Sequence, residues 1–275
     1  MPMAPAETAR GNVLASHRIH ILNLGGHPGR LGTILCRLAA FVVFALLWQW
    51  GAVRADSILI PTFTETAQAL YETVFITGDI WPALLTSNKP LVVGYALSVA
   101  IALPLGLAMA RWPALDRALD PITAVALALP IAPLVPVVLV ALGMGMAPKV
   151  FIIVLFSWVF ILTNVRAGAR RADQSLVEMA RSFGASEREV WTRILIPSAI
   201  PAIFAGLRIG LGRAFAGMVI VELIMLPLGI GALLLDYRGD FKAALLYATT
   251  IVVVLEAVML AVAMQKLERH LIRWK

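Results

Sequence analysis

The sequence predicts an all-helical, polytopic membrane protein with six transmembrane helices, and three observations lead there. Hydrophobic residues fill 60% of its 275 positions and charged residues only 14%, whereas a soluble domain carries about 25% charged residues. Apolar runs recur along the whole chain between short polar connections. Lysine and arginine then collect in alternate connections, fifteen on one side against five on the other when the runs are counted as six spans. The net charge of +7 is therefore read as basic residues kept on one membrane face, not as a nucleic-acid surface. Six spans put both termini on that face, which the positive-inside rule makes the cytoplasmic one.

Residues 1–30 hold three prolines and four glycines without apolar periodicity, and read as a mobile cytoplasmic extension. His17, His20 and His27 lie there with no acidic cluster beside them, which favours a tail over a metal site. Residues 31–275 form one six-span domain. The first span, 31–53, is long enough to cross a core of about 30 Å. No small-residue cleavage site follows it, so it is an anchor and not a cleaved signal. Trp48 and Trp50 near its end suit an interfacial aromatic belt. Cys36, the single cysteine, leaves no disulfide within one chain.

Ala67, Leu70, Tyr71, Val74 and Phe75 recur at helical spacing and predict an amphipathic helix along the outer face, used as a packing brace. Residues 79–88 lead into the second span, 91–110, whose start Pro90 is expected to bend. The third span, 122–143, carries Pro130, Pro133 and Pro136. Such a cluster reads either as a deformable wall beside a pathway or as a fixed kink. Asp116 and Asp120 ahead of it read as a short solvated loop instead of a metal site. The fourth span is 150–165, the fifth 200–225 and the sixth 244–265. An outer loop with Asp236, Tyr237, Arg238, Asp240 and Lys242 separates the last two, and a basic tail ends the chain.

Residues 173–197 lie in the longest reach without a membrane-spanning run in the second half of the chain. Ser175 with Glu178, and Ser186 with Glu189, each have the spacing of a reciprocal capping box. Gly184 lies between them and can take the left-handed conformation that ends a helix. The stretch predicts a stiff helix, tight turn and second helix, which Pro197 stops or kinks at the membrane. Trp191 is its candidate aromatic anchor for a partner.

Glu178-Met179-Ala180, three residues, Gly184, nine residues, then Ile194-Leu195-Ile196-Pro197 resembles the E-A-A, x3, G, x9, I-x-L-P loop of the membrane subunits of binding-protein-dependent ATP-binding-cassette importers. Met179 and Ile196 depart from the usual alanine and leucine, and both are apolar and compatible with a helix. The resemblance runs from about Leu59 to Lys275 and leans to the nitrate, taurine and aliphatic sulfonate subgroup. It implies a type I importer permease (MetI-like) fold in a bacterial inner membrane. It also implies that Glu178, Met179, Ala180, Gly184, Trp191, Ile194 and Pro197 form the interface with a cytoplasmic ATPase subunit, present in two copies. That partner binds ATP and magnesium; this chain binds no cofactor. The remaining implied partners are a second permease subunit, the same chain or a different one, and an extracytoplasmic solute-binding protein.

The residues themselves offer no enzyme. A phosphate loop ending in Gly-Lys-Ser or Gly-Lys-Thr is absent, as are a Gly-x-Ser-x-Gly elbow and a His-Glu-x-x-His pair. The fifth span instead spaces Gly206, Gly210, Gly212, Ala216 and Gly217 so that helices can approach closely, within the subunit or across a dimer. Arg208, Arg213 and Glu222 share this span and Glu256 lies in the next. Ionisable groups at such depth mark a pathway or a buried pair. Arg208 is near enough to the span's start to snorkel. Arg213, Glu222, Pro133 and Glu256 are the candidate translocation path. Arg213 could pair with an anionic solute, or with Glu222 or Glu256 as a brace. Arg37 and Gln49 are weaker candidates. The expected function is passage of a small polar solute, of sulfonate, nitrate or carboxylate type if Arg213 reads it. Glu222 and Glu256 keep an ion- or proton-coupled secondary transporter in view as the alternative.

Overall fold

The computed structural model describes residues 30–171, 173–224 and 227–271. The expected extension, apart from Arg30, and the last four residues of the tail lie outside the described residues. Helices make up every regular element among the described residues.

Helix α1 spans Arg30–Ala55, and α2 spans Phe63–Tyr71 behind a capping box between Thr62 and Glu65. A wider turn over Glu72–Ile76 prolongs α2. Helix α3 covers Ile80–Arg111, α4 Pro113–Ala128, α5 Leu134–Leu142 and α6 Met146–Arg170. The polar stretch forms α7, Gln174–Ser182, and α8, Glu187–Val190. A second wide turn, Trp191–Leu195, leads into α9, Ile196–Ile224. Helices α10, Ile230–Gly239, and α11, Ala243–Leu271, close the described chain.

Among the described residues, five helices are long and apolar enough to cross a membrane: α1, α3, α6, the run from α8 through α9, and α11. The expected third span is not one of them, because its prolines break it. Pro130 pushes Leu129 out of the helical region (φ −65°, ψ 121°), as a residue before proline must be. Pro133 and Pro136 then sit at the start of α5, where a missing N–H costs nothing. Pro90 does not interrupt α3, which already begins at Ile80, so the expected lead-in over 79–88 is itself helix.

The centre of the fold is α3, α6 and α9. Gly206, Gly210 and Gly217 of α9 lie against Asn164, Ile161 and Phe156 of α6, and a Cβ at Gly206 would come within 2.7 Å of Asn164. The small residues of the fifth span thus serve contact within the subunit, while Gly212 faces open space. Gly94 and Gly106 of α3 meet α6 in the same way, and Ser98 and Ser157 share a hydrogen bond of 2.6 Å between these helices.

Helix α2 packs with its polar stripe inward. Thr66, Ala69 and Thr73 are buried, and Tyr71 and Phe75 point outward. The expected apolar brace is therefore reversed, since apolar side chains gain nothing by leaving lipid while small residues allow close approach. Trp48 packs edge-on against Phe63 and donates to the Pro61 carbonyl at 3.0 Å. It fastens α1 to α2.

Candidate functional site

The 173–197 stretch folds as a helical hairpin, but its first cap differs from expectation. Asp173, not Ser175, caps α7 by accepting from the Ser175 N–H at 2.9 Å. The Ser175 hydrogen bonds hold the Asp173 carboxyl below its ordinary value. Glu178 is left exposed with no ion pair among the described residues, since an N-cap two positions upstream moves it out of capping register. The helix ends at Ser182, capped by Phe183 and followed by Gly184 at φ 82°. The Ala185 N–H donates to Ala180 at 3.0 Å and the Gly184 N–H to Arg181 at 2.9 Å, the paired closure of a glycine-terminated helix. The second cap forms as spaced: Glu189 N–H donates to Ser186 Oγ at 3.3 Å, and Ser186 N–H to Glu189 Oε2 at 3.0 Å. Those bonds, with Arg193 beside them, pull the Glu189 carboxyl down.

Pro197 neither stops nor turns the chain. The wide turn over Trp191–Leu195, which contains Ile194, absorbs the disturbance ahead of it, and α9 continues. Trp191 is half-buried and lies against the Arg111 guanidinium at the end of α3, 5.8 Å from centre to centre. It is therefore engaged within the chain. The free apolar surface belongs to Leu176, Met179 and Phe183, spaced along one face of α7, with Phe183 85% exposed. Sequence reasoning passed over Phe183, although its spacing from Leu176 and Met179 puts it on their face.

Residues 102–273 of this chain match the protein family described as binding-protein-dependent transport system inner membrane component. The chain belongs to this family. The taurine transport system permease protein TauC of Escherichia coli (strain K12) is 29% identical over 240 residues, covering 83% of this permease and 86% of the relative. The putative aliphatic sulfonates transport permease protein SsuC of the same strain is 30% identical over 212 residues, 76% and 80% of the two chains. Among solved structures, the inward-facing MetNI methionine ABC transporter superposes with TM-score 0.57 at 17% identity, over 72% of this chain and 96% of that one. At that identity the likeness shows the fold, a MetI-type permease. The chain is a permease subunit of an ABC transporter and not itself an enzyme; the ATPase lies in a separate subunit.

The permease buries Glu222, Glu256 and Lys149 in places the sequence left open. Glu222 is almost fully buried and pairs with Lys149 at 2.7 Å. It also accepts from Ser87 Oγ at 2.8 Å and from the Gly231 N–H at 3.1 Å, while Ser87 receives the Ile230 N–H at 3.0 Å. Four helices, α3, α6, α9 and α10, meet at this carboxylate. The sequence places Lys149 in a connection between spans and offers Arg213, not Lys149, as the cation for Glu222. Gly229, at φ 68°, is required here, because a Cβ would run into Ser87 Oγ.

Glu256 is bonded to the Asn88 amide on α3, and its second oxygen is buried without a hydrogen-bond partner among the described residues. Arg208 pairs with Glu268 of α11 at 2.8 Å. Gln49 accepts from the Thr64 N–H at 3.2 Å, next to the α2 cap. Arg213 pairs with neither Glu222 nor Glu256. It is exposed on α9, its guanidinium 4.4 Å from the centre of the Phe160 ring. Asp116 and Asp120 lie on α4, not in a solvated loop, and bind Arg166 of α6, each at 2.6 Å. Pro133 stands in the break between α4 and α5, next to Ile131 and Val135, which pack on Ile152, Phe156 and Val221.

Proposed function

We propose that this permease forms the path by which an importer carries a small anionic solute across the inner membrane, and that Arg213 reads the anion. The observation that carries this is the place of Arg213. It stands 17 residues from the start of α9, about 25 Å along a helix at 1.5 Å per residue. A guanidinium at that depth faces protein or a water-filled space, not lipid, and among the described residues this one has an aromatic ring beneath it and no ion pair. Phe160 is one turn from Phe156 on the same face of α6, and Phe156 packs beside α5. Arg213 and the proline break with Pro133 thus lie toward one side of the bundle. A bidentate cation suits a sulfonate or carboxylate, the chemistry named for the taurine and aliphatic sulfonate relatives. Glu222 and Glu256, buried and bonded, act as braces and leave the path to Arg213.

In this reading the hairpin lies in the cytoplasm with both termini. Leu176, Met179 and Phe183 seat in a groove of the ATPase subunit, with Glu178 and Ala180 beside them and Gly184 closing the turn. Two such subunits, holding ATP and magnesium, drive two permease chains, a copy of this one completing the pair. A solute-binding protein supplies the solute from outside.

The test is uptake of taurine by the reconstituted complex carrying Arg213→Gln. Lost uptake with a normally assembled complex supports the path; loss of the complex makes Arg213 a brace. Uptake by the permease in vesicles without any ATPase would overturn the whole reading in favour of a secondary transporter.

A further inference from the structure

Among the described residues, the ion pairs that join the hairpin to the rest of the permease run through one carboxylate. Glu187, the first residue of α8, reaches Arg181 near the end of α7 at 2.8 Å with one oxygen and Arg111 at the end of α3 at 3.1 Å with the other. Trp191 stacks with the same Arg111. One residue further on, Trp112 is extended (φ −113°, ψ 103°) and Pro113 opens α4. Glu187 therefore sits between the hairpin and the corner at which α3 becomes α4.

What lies beyond that corner can bend. Asp116 and Asp120 hold α4 to α6 through Arg166, and Arg170 adds a further pair to Asp116. Past these contacts α4 runs to Ala128, breaks over Leu129–Pro133, and resumes as α5 against α6 and α9. The α6–α9 pair, closed by glycine contacts along its length, has no such freedom.

We propose that Glu187 is a positioning residue that transmits displacement of the hairpin to the α3–α4 corner, so that α4 turns on its Arg166 contacts and bends at the proline break. This rests on the hairpin being the ATPase-coupling element. Both partners of the Glu187–Arg111 pair are partly exposed, with 49% and 39% of their side chains open. Such a pair adds little stability, and it sets the register between two elements instead.

The experiment uses the permease with its copurifying ATPase subunit in lipid nanodiscs. Cys36→Ser removes the native thiol, and Val140→Cys places one on the exposed face of α5. Maleimide labelling is compared without nucleotide and after trapping with Mg-ATP and vanadate. The expected labelling rates differ by roughly 3- to 30-fold between the two states. Glu187→Gln abolishes that difference while ATPase binding and hydrolysis persist, and Arg111→Glu with Glu187→Arg restores it. Rescue by Arg181→Glu with Glu187→Arg instead would make Glu187 a clamp internal to the hairpin and overturn the proposal. So would an unchanged difference in Glu187→Gln, no nucleotide effect on α5 in the parent, or loss of ATPase binding in Glu187→Gln. Failure of the parent permease to bind any ATPase overturns the coupling reading itself, a separate result.

Discussion

The two ends of the helix bundle use the same chemistry, a carboxylate bound by cations and N–H groups, to opposite effect. At the hairpin end Glu187, Asp173 and Glu189 work at the surface, where water competes for every bond. At the far end Glu222 and Lys149 are nearly fully buried, and two helices' worth of N–H and hydroxyl donors complete the site. Burial decides what each arrangement can do. An exposed pair is redrawn at little cost, about 0–1 kcal/mol, which suits an element that must shift. A buried carboxylate that loses its cation has nowhere to find another, which suits an element that must stay.

The comparison breaks most visibly at the far end. Lys149→Met leaves the Glu222 charge buried and alone, and should lower stability by about 3–5 kcal/mol. Thermal unfolding of the purified permease in detergent measures it, and Lys149→Met with Glu222→Leu should recover much of the loss. Gly229→Ala tests the same site through the backbone. With φ at 68° and Ser87 Oγ in the way, it should cost about 1–3 kcal/mol, read by the same unfolding. At the hairpin end Gly184→Ala meets no neighbour, so only its positive φ is penalised, by about 1–2 kcal/mol. Faster amide exchange confined to residues 180–186 is the expected sign.

Acid gives the smallest effect and the sharpest contrast. Asp173 and Glu189 have folded values held below the ordinary carboxylate range by their capping bonds. Their contribution is therefore complete above that range and fades as pH falls through the lowered values. Hairpin amide protection factors should fall from about pH 4 downward, most next to the two caps. Protection unchanged there would remove the distinction between the two ends.

Much of the hairpin was legible because its signals are local. Ser186 and Glu189 are three residues apart, and Gly184 needs only its own backbone, so neither depends on distant packing. The cap at the first helix was misplaced because Asp173 and Ser175 both qualify, and only the backbone's path between α6 and α7 selects one. The stripe of α2 was read correctly as a stripe and assigned to the wrong side, since in lipid apolar periodicity no longer tells inside from outside.

Composition and periodicity by themselves determined that this chain spans a membrane in helices, where the polar hairpin falls, and that its glycines allow close helix contact. These are properties of single segments in apolar solvent, where each helix satisfies its own backbone. The tertiary structure alone decided that Lys149 answers Glu222 across 73 residues, that Arg213 has a ring and, among the described residues, no carboxylate, and that a proline break parts a span into α4 and α5. Such pairings depend on which helix faces come together, and spacing within one segment carries no record of the residues packed against it.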